Sequence, residues 1–446
     1  MSELRTIARH ASTVLVGQLA VMAFGVTDTI VAGRYSEQAL AALSVGAAVY
    51  VTVFVALMGV LQALLPTWAE LHGAQKRHEL GKSVRQSLYL AAIGSAIGTT
   101  ALLFPGTLLH ATDVPASLEG DVFAYLGVLV FALPASLLFR LYGTLNQSLG
   151  HPRIVTVLQA LSLMLKVPLT VWFVFGGAGL PAQGAVGCAW ATVVVQWLMV
   201  AISFWLVRTQ AFYQPYAIWQ AIERPHWPTI GGFARLGIPG GLAVMVEVTS
   251  FTLMALFIAR QGAVASAAHQ VAANIAAVMY MVPLSLSIAT SARVSYWLGA
   301  GDPRLARHVT RTGFKVGMGM AIAMSAVLFI ARGSIASAYS PNPEVVRVAS
   351  GLLMVLALFH LGDACQALCV FVLRCYRVVV APLVAYCVFL WGVGLMGGYL
   401  LAYVGVGGMA AQDSPLAFWI AATIALLLVG PILAAILWRA VHSYRG

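Results

Sequence analysis

Three carboxylates, Asp28, Glu247 and Asp363, each stand alone inside an apolar run long enough to cross a lipid bilayer. An ionised acid at mid-membrane costs roughly 2.5–3.5 kcal/mol on insertion scales, so such residues default to a functional role. The chain has only 14 acidic residues in 446, and most of the others fall in short polar connections. A carboxyl in that setting is neutralised by a proton, a metal ion or a basic partner, and each is a way to couple ion movement to transport. Enzyme chemistry has no comparable signal. Each intramembrane acid is alone in its span, so the DxxxD pair that a metal-dependent transferase needs is missing. The five cysteines (Cys188, Cys365, Cys369, Cys375 and Cys387) lack CxxC or metal spacing and read as apolar packing residues. We therefore expect no catalytic residue, no structural metal and no organic cofactor.

The elements that must hold these acids follow from composition. The chain is 61% hydrophobic and 9% charged, against about 25% charged for a soluble domain. Its apolar runs are continuous rather than alternating, which excludes a membrane β-barrel. Spans of about 20 residues give an all-α polytopic membrane protein with a dozen transmembrane helices, centred from Met22 to Ala425. The expected division is an amino-terminal six-helix lobe (1–207), a linker (208–228) and a carboxy-terminal six-helix lobe (229–446). Basic residues set the orientation. Arg5, Arg9, Lys76 to Arg85, Arg153, Arg208, Arg224, Arg304 to Lys315, Arg439 and Arg445 fall on one side. The other side has Arg34, Arg260, Arg332 and Arg347 among the acids Asp113, Glu119, Asp121 and Asp413. The positive-inside rule then places both termini and the linker in the cytoplasm, in a cell inner or plasma membrane. The net charge of +11 is spread over alternate connections, which suits lipid headgroups and not nucleic acid. Arg140, Arg293 and Arg374, near span ends, read as interfacial anchors.

The two halves are similar. At one constant offset Arg34 recurs as Arg260, Ala39 as Ala265, Val45 as Val271 and Gly73-Ala74 as Gly299-Ala300. Repeats of this kind place a substrate cleft between two bundles that alternate access. His269, Gln270 and Asn274 share one helix face and either line a cavity or bond across helices. Met281 and Tyr280 either form an adaptable substrate surface or fill helix interfaces.

The segments VTDTIVAGRYSEQALAALSVGAA, VLQALLPTWAELHGAQKR, LGIPGGLAVMVEVTSFTLMALFIARQGAVASAAHQVAANI and FHLGDACQALCVFVLRCYR resemble multidrug and toxic compound extrusion (MATE) transporters of the NorM-like branch. The resemblance implies a twelve-helix, two-lobed antiporter that expels cationic or amphipathic drug-like compounds in exchange for protons or sodium. It puts Asp28 at the acid position of the amino lobe, and Glu247 and Asp363 at those of the carboxy lobe. Two departures stand out. Lys166 and Thr170 occupy places where the family usually has asparagines, so Lys166 is expected to pair with Asp28; the alternative is a lysine that snorkels to an interface. Thr170 and Thr192 are candidates to line the cavity or the cation site. Phe359, beside His360, replaces a tyrosine one turn before Asp363, which weakens a sodium site and favours proton coupling, since burial disfavours the charged carboxylate. With no basic residue expected near Glu247 and Asp363, the coupling ion is placed there. A lipid-linked precursor flippase of similar architecture is the alternative function, and the protein is expected to act as a monomer in the bilayer.

Overall fold

The computed structural model describes residues 3–104, 116–177, 179–220, 223–408 and 410–444; Asp113 and Arg445 of the charge balance lie outside them. Among the described residues there are twelve helical spans long and apolar enough to cross a membrane. In chain order the helices are α1 (Glu3–Tyr35), α2 (Glu37–Gln62), α3 (Leu64–Gly73), α4 (Arg77–Leu103), α5 (Ala116–Ser148), α6 (Pro152–Phe175) and α7 (Ala185–Thr209). They continue as α8 (Trp227–Ala259), α9 (Ala263–Gly299), α10 (Pro303–Tyr339), α11 (Pro343–Cys375), α12 (Val380–Val404) and α13 (Pro415–Ser443). Helices α2 and α3 form a single span, Glu37–Gly73. They part at Ala63 because Pro66, four residues after Gln62, has no N–H for the Gln62 carbonyl.

Local chemistry sets the helix starts. Proline occupies the first turn of α6, α10, α11 and α13, where its missing N–H costs nothing. Side chains of Ser36, Asp302, Asn342 and Ser414 accept hydrogen bonds from the free N–H groups that begin α2, α10, α11 and α13. In α12 the turns widen to π-helical geometry over Cys387–Met396 and again over Leu400–Val404.

The chain forms two compact units, one of residues Val16–Gly241 and one of Met1–Leu15 with Leu242–Gly446. In the first, Gly237 and Gly241 of α8 lie against the backbone of α2: an added Cβ would stand 2.6 Å from the Val60 carbonyl oxygen and 2.5 Å from that of Ala56. In the second, Ile7 is fully buried in a cluster with Ala243, Leu298 and Val309. Glu3 there receives both Nε and Nη2 of Arg293, at 3.0 and 2.6 Å. Arg293, expected from its place near a span end to anchor at an interface, is thus half of an ion pair and also lies over Tyr296 and Trp297.

The connection between α7 and α8 is fastened to α4. Arg85, almost wholly buried, donates to the Ala217 carbonyl at 2.5 Å and to Glu223 Oε1 at 2.7 Å. Gln86 bonds both the Arg224 carbonyl and the His226 N–H, and Tyr89 donates to the Glu223 carbonyl. Arg85 holds the Glu223 carboxyl below the usual glutamate range. A depressed folded value means that the contact contributes fully above the unfolded range, near pH ~4.3, and is lost as pH falls through the folded value. Glu223 is more than a third exposed, so solvent screening keeps the effect small. The expected result is a small melting difference between wild type and Glu223→Gln at neutral pH that closes on acidification. A difference independent of pH would show that the charge is idle.

Candidate functional site

In the first unit Asp28 projects from α1 towards a polar stripe on α6 and α7. Lys166 and Thr170, four residues apart on α6, share a face, as do Cys188 and Thr192 on α7. Helices α6 and α7 approach closely because Gly187 faces the α6 backbone: a Cβ there would stand 2.6 Å from the Phe173 carbonyl carbon. The Lys166 ammonium therefore meets three acceptors: Asp28 Oδ1 at 3.0 Å, the Cys188 carbonyl at 3.0 Å and Thr192 Oγ1 at 2.5 Å. An ammonium has three N–H donors, so its hydrogen bonding is complete. Its side chain is 0% exposed, so the head does not snorkel. Thr170 Oγ1 donates to the same carboxylate oxygen at 3.4 Å. This arrangement neutralises Asp28 from within the protein and leaves no unbalanced charge at Oδ1 for a second cation.

Beside the pair opens a cavity of about 240 Å³, lined by Asp28, Thr192 and several aromatic side chains. Arg140 of α5 stands in its wall, which corrects the expectation that it anchors at an interface.

The second unit brings Glu247 of α8 and Asp363 of α11 to one amide. Gln366, one turn beyond Asp363, donates from Nε2 to Glu247 Oε1 at 3.2 Å and to Asp363 Oδ1 at 3.1 Å. Two carboxyls that share one donor cannot both hold a bare charge cheaply in apolar surroundings. Trp391, within the wide turns of α12, donates to the Val246 carbonyl at 3.1 Å and so pins the backbone beside Glu247. Gly362, next to Asp363, lets α11 lie on α13: an added Cβ would stand 3.0 Å from the Leu426 carbonyl carbon. Arg374, about three turns along α11 from Asp363, is only 3% exposed and its Nε has no hydrogen-bond partner. It lies within electrostatic range of Glu247. Two expectations are thereby corrected: Arg374 is not an interfacial anchor, and Glu247 does have a basic neighbour. Tyr280 of α9 and Tyr386 of α12 are in electrostatic range of both acids.

The remaining sequence candidates lie apart from this pair. Phe359 packs edge-on to Phe251 and Trp419. His360 is buried with no partner for Nε2. His269 Nδ1 accepts from Trp419 Nε1 at 3.2 Å; among the described residues no hydrogen bond joins it to either acid. Gln270 and Asn274 bond each other at 3.1 Å on an exposed stretch of α9. Met281 is half-buried, and its carbonyl accepts from Ser285. Sequence reasoning passed over Gln366 and Tyr386. The first has a readable signal, a polar residue three positions from the acid on the same helix face; the second has none, since only the packing of α12 brings it in.

The MatE family model matches residues 14–172 and 239–400. The chain belongs to the MatE family. Both acid-bearing regions of this MatE protein fall within the matched segments. It is 36% identical over 421 residues to a probable multidrug resistance protein NorM of Aromatoleum aromaticum, covering 94% of this chain and 90% of that one. It is 34% identical over 406 residues to the multidrug resistance protein PmpM of Pseudomonas aeruginosa, covering 90% and 84%. Among solved structures, the MatE chain superposes on the eukaryotic MATE transporter AtDTX14 with a TM-score of 0.87 at 20% identity, covering 99% of this chain and 97% of that one. On the Vibrio cholerae MATE transporter VcmN in its bent form the TM-score is 0.84 at 18% identity, with 99% and 98% covered. At those identities the likeness speaks for the fold, an all-helical multi-pass membrane architecture.

Proposed function

We propose that this MatE protein is a secondary active multidrug exporter, exchanging amphipathic organic compounds for protons at Glu247 and Asp363, with its termini in the cytoplasm. The names of the NorM and PmpM relatives support the export of drug-like compounds. The observation that carries the coupling site is the Gln366 amide donating to both acids. Sodium takes oxygen acceptors, whereas the group turned towards these carboxyls is an N–H donor. Phe359 contributes no hydroxyl that could add an oxygen ligand for a metal ion. A proton needs no such ligand shell.

Reconstituted vesicles given a proton or a sodium gradient separately provide the test. The expected result is export of a cationic dye under the proton gradient and none above the no-gradient control under sodium alone. Sodium-driven export at equal pH on both sides would overturn proton coupling.

A further inference from the structure

A second cavity of the first unit, of about 260 Å³, is formed by α2, α4, α5 and the opening turns of α8. Its lining has no polar side-chain atom apart from the Trp227 indole N–H. Two lining glycines, Gly94 and Gly231, keep it hollow, and an added Cβ at Gly231 would meet nothing within 4 Å. The cavity opens at the surface of the helices, where its residues Ile97, Ile238 and Trp227 are 61, 49 and 65% exposed. Water gains little there, since a retained water needs about two to four polar partners. In a helix bundle that spans a bilayer, the apolar material at such an opening is a lipid chain.

One end of this cavity is basic. Gln86, one turn before the lining residue Leu90 on α4, bonds the Arg224 carbonyl and the His226 N–H, which brings the start of α8 beside α4. Lys82, one turn before Gln86, is exposed, and so is Arg224. Arg235 is exposed as well, and its spacing from Gly231 and Ile238 puts it on the flank of the lining stripe of α8. Glu223, the acid of this region, is already taken by Arg85 at 2.7 Å. Among the described residues no carboxylate lies within ion-pair distance of Lys82, Arg224 or Arg235. Between these cations and the apolar lining comes Trp227, a residue type that settles at headgroup level.

We propose that this cavity seats one acyl chain of an anionic phospholipid from the adjoining leaflet, with the phosphate held by Lys82, Arg224 and Arg235. An apolar slot continuous with three unpaired cations matches such a lipid at both ends, and a zwitterionic lipid at only one. The site is independent of what the protein exports and of the ion that drives it.

Dioleoylphosphatidylglycerol and dioleoylphosphatidylcholine share their chains and differ in net charge. Binding of each to the purified, delipidated full chain in detergent is counted by native mass spectrometry. Wild type takes up one phosphatidylglycerol about tenfold more tightly than phosphatidylcholine. Gly231→Leu, which fills the cavity without altering any charge, loses the tight adduct. The triple variant Lys82→Gln, Arg224→Gln, Arg235→Gln keeps the cavity and binds the two lipids equally. Equal affinity of wild type for both lipids overturns the proposal without recourse to any variant. So does a tight adduct that survives in Gly231→Leu, or a preference that survives in the triple variant, each shown to be folded by its melting curve. Displacement of the bound phosphatidylglycerol by an exported cationic dye would make the cavity a substrate site and overturns it too.

Discussion

Asp363→Asn and Glu247→Gln each reduce gradient-driven export to the level of protein-free vesicles, while the purified proteins melt within a few degrees of wild type. The two halves of that result have one origin. The amide replacements keep the shape of the acids, and each amide oxygen can still accept from Gln366 Nε2. Each replacement also brings two N–H donors, and Gln366 Oε1, which has no partner, can accept one of them; the change in stability is expected within about 1–2 kcal/mol. Removing a carboxylate from apolar surroundings even relieves a desolvation cost. An amide, however, takes up no proton in this range and carries no charge for a cation to balance. The site then has the same free energy whichever side it faces, and the gradient has nothing to act on. Asp28→Asn differs, because the Asp28 carboxylate is already balanced by Lys166; some gradient-driven export is expected to survive in it. Full export by both Asp363→Asn and Glu247→Gln, at equal protein content, would refute the assignment of the coupling site.

The elements were largely legible because a bilayer imposes a length. Runs of about 20 apolar residues can be counted in the sequence, and the twelve spans among the described residues match that count. What the count missed came from packing. Arg374 lies near the end of an apolar run and looks like an anchor. Yet α11 extends over 33 residues, well beyond the length needed to span, so a residue close to its end can be buried by neighbouring helices. Arg140 misled in the same way, because sequence cannot show that a cavity opens beside it. Gln366 carried a usable signal in its three-residue spacing from Asp363. A search for charges alone overlooks it, since an uncharged amide does not stand out as costly. The bend at Ala63 shows the opposite case, in which a local rule was sufficient: Pro66 in the sequence marks the carbonyl that must lose its partner.

Lys166→Met is expected to be more destabilising than any of the other single substitutions. Breaking a buried ion pair by removing one partner costs about 3–5 kcal/mol, because the other charge remains without compensation. Here the two partners are not equivalent. In Asp28→Asn the ammonium keeps the Cys188 carbonyl and Thr192 Oγ1, and the new amide oxygen can serve as the third acceptor. In Lys166→Met the carboxylate keeps Thr170 Oγ1 at 3.4 Å. The lysine variant should therefore melt lowest and the aspartate variant in between. Combining Lys166→Met with Asp28→Asn removes both charges, and replacing a buried pair by neutral groups is often near neutral. The double variant should then regain most of the loss, giving a coupling energy of about 2–3 kcal/mol in the cycle, at the upper end for residues in contact. Melting of the four proteins in one detergent, followed by intrinsic tryptophan fluorescence, measures it. Additive shifts would mean that the 3.0 Å contact contributes nothing as a pair, and Asp28 would then have to be counted again among the acids available to a coupling ion.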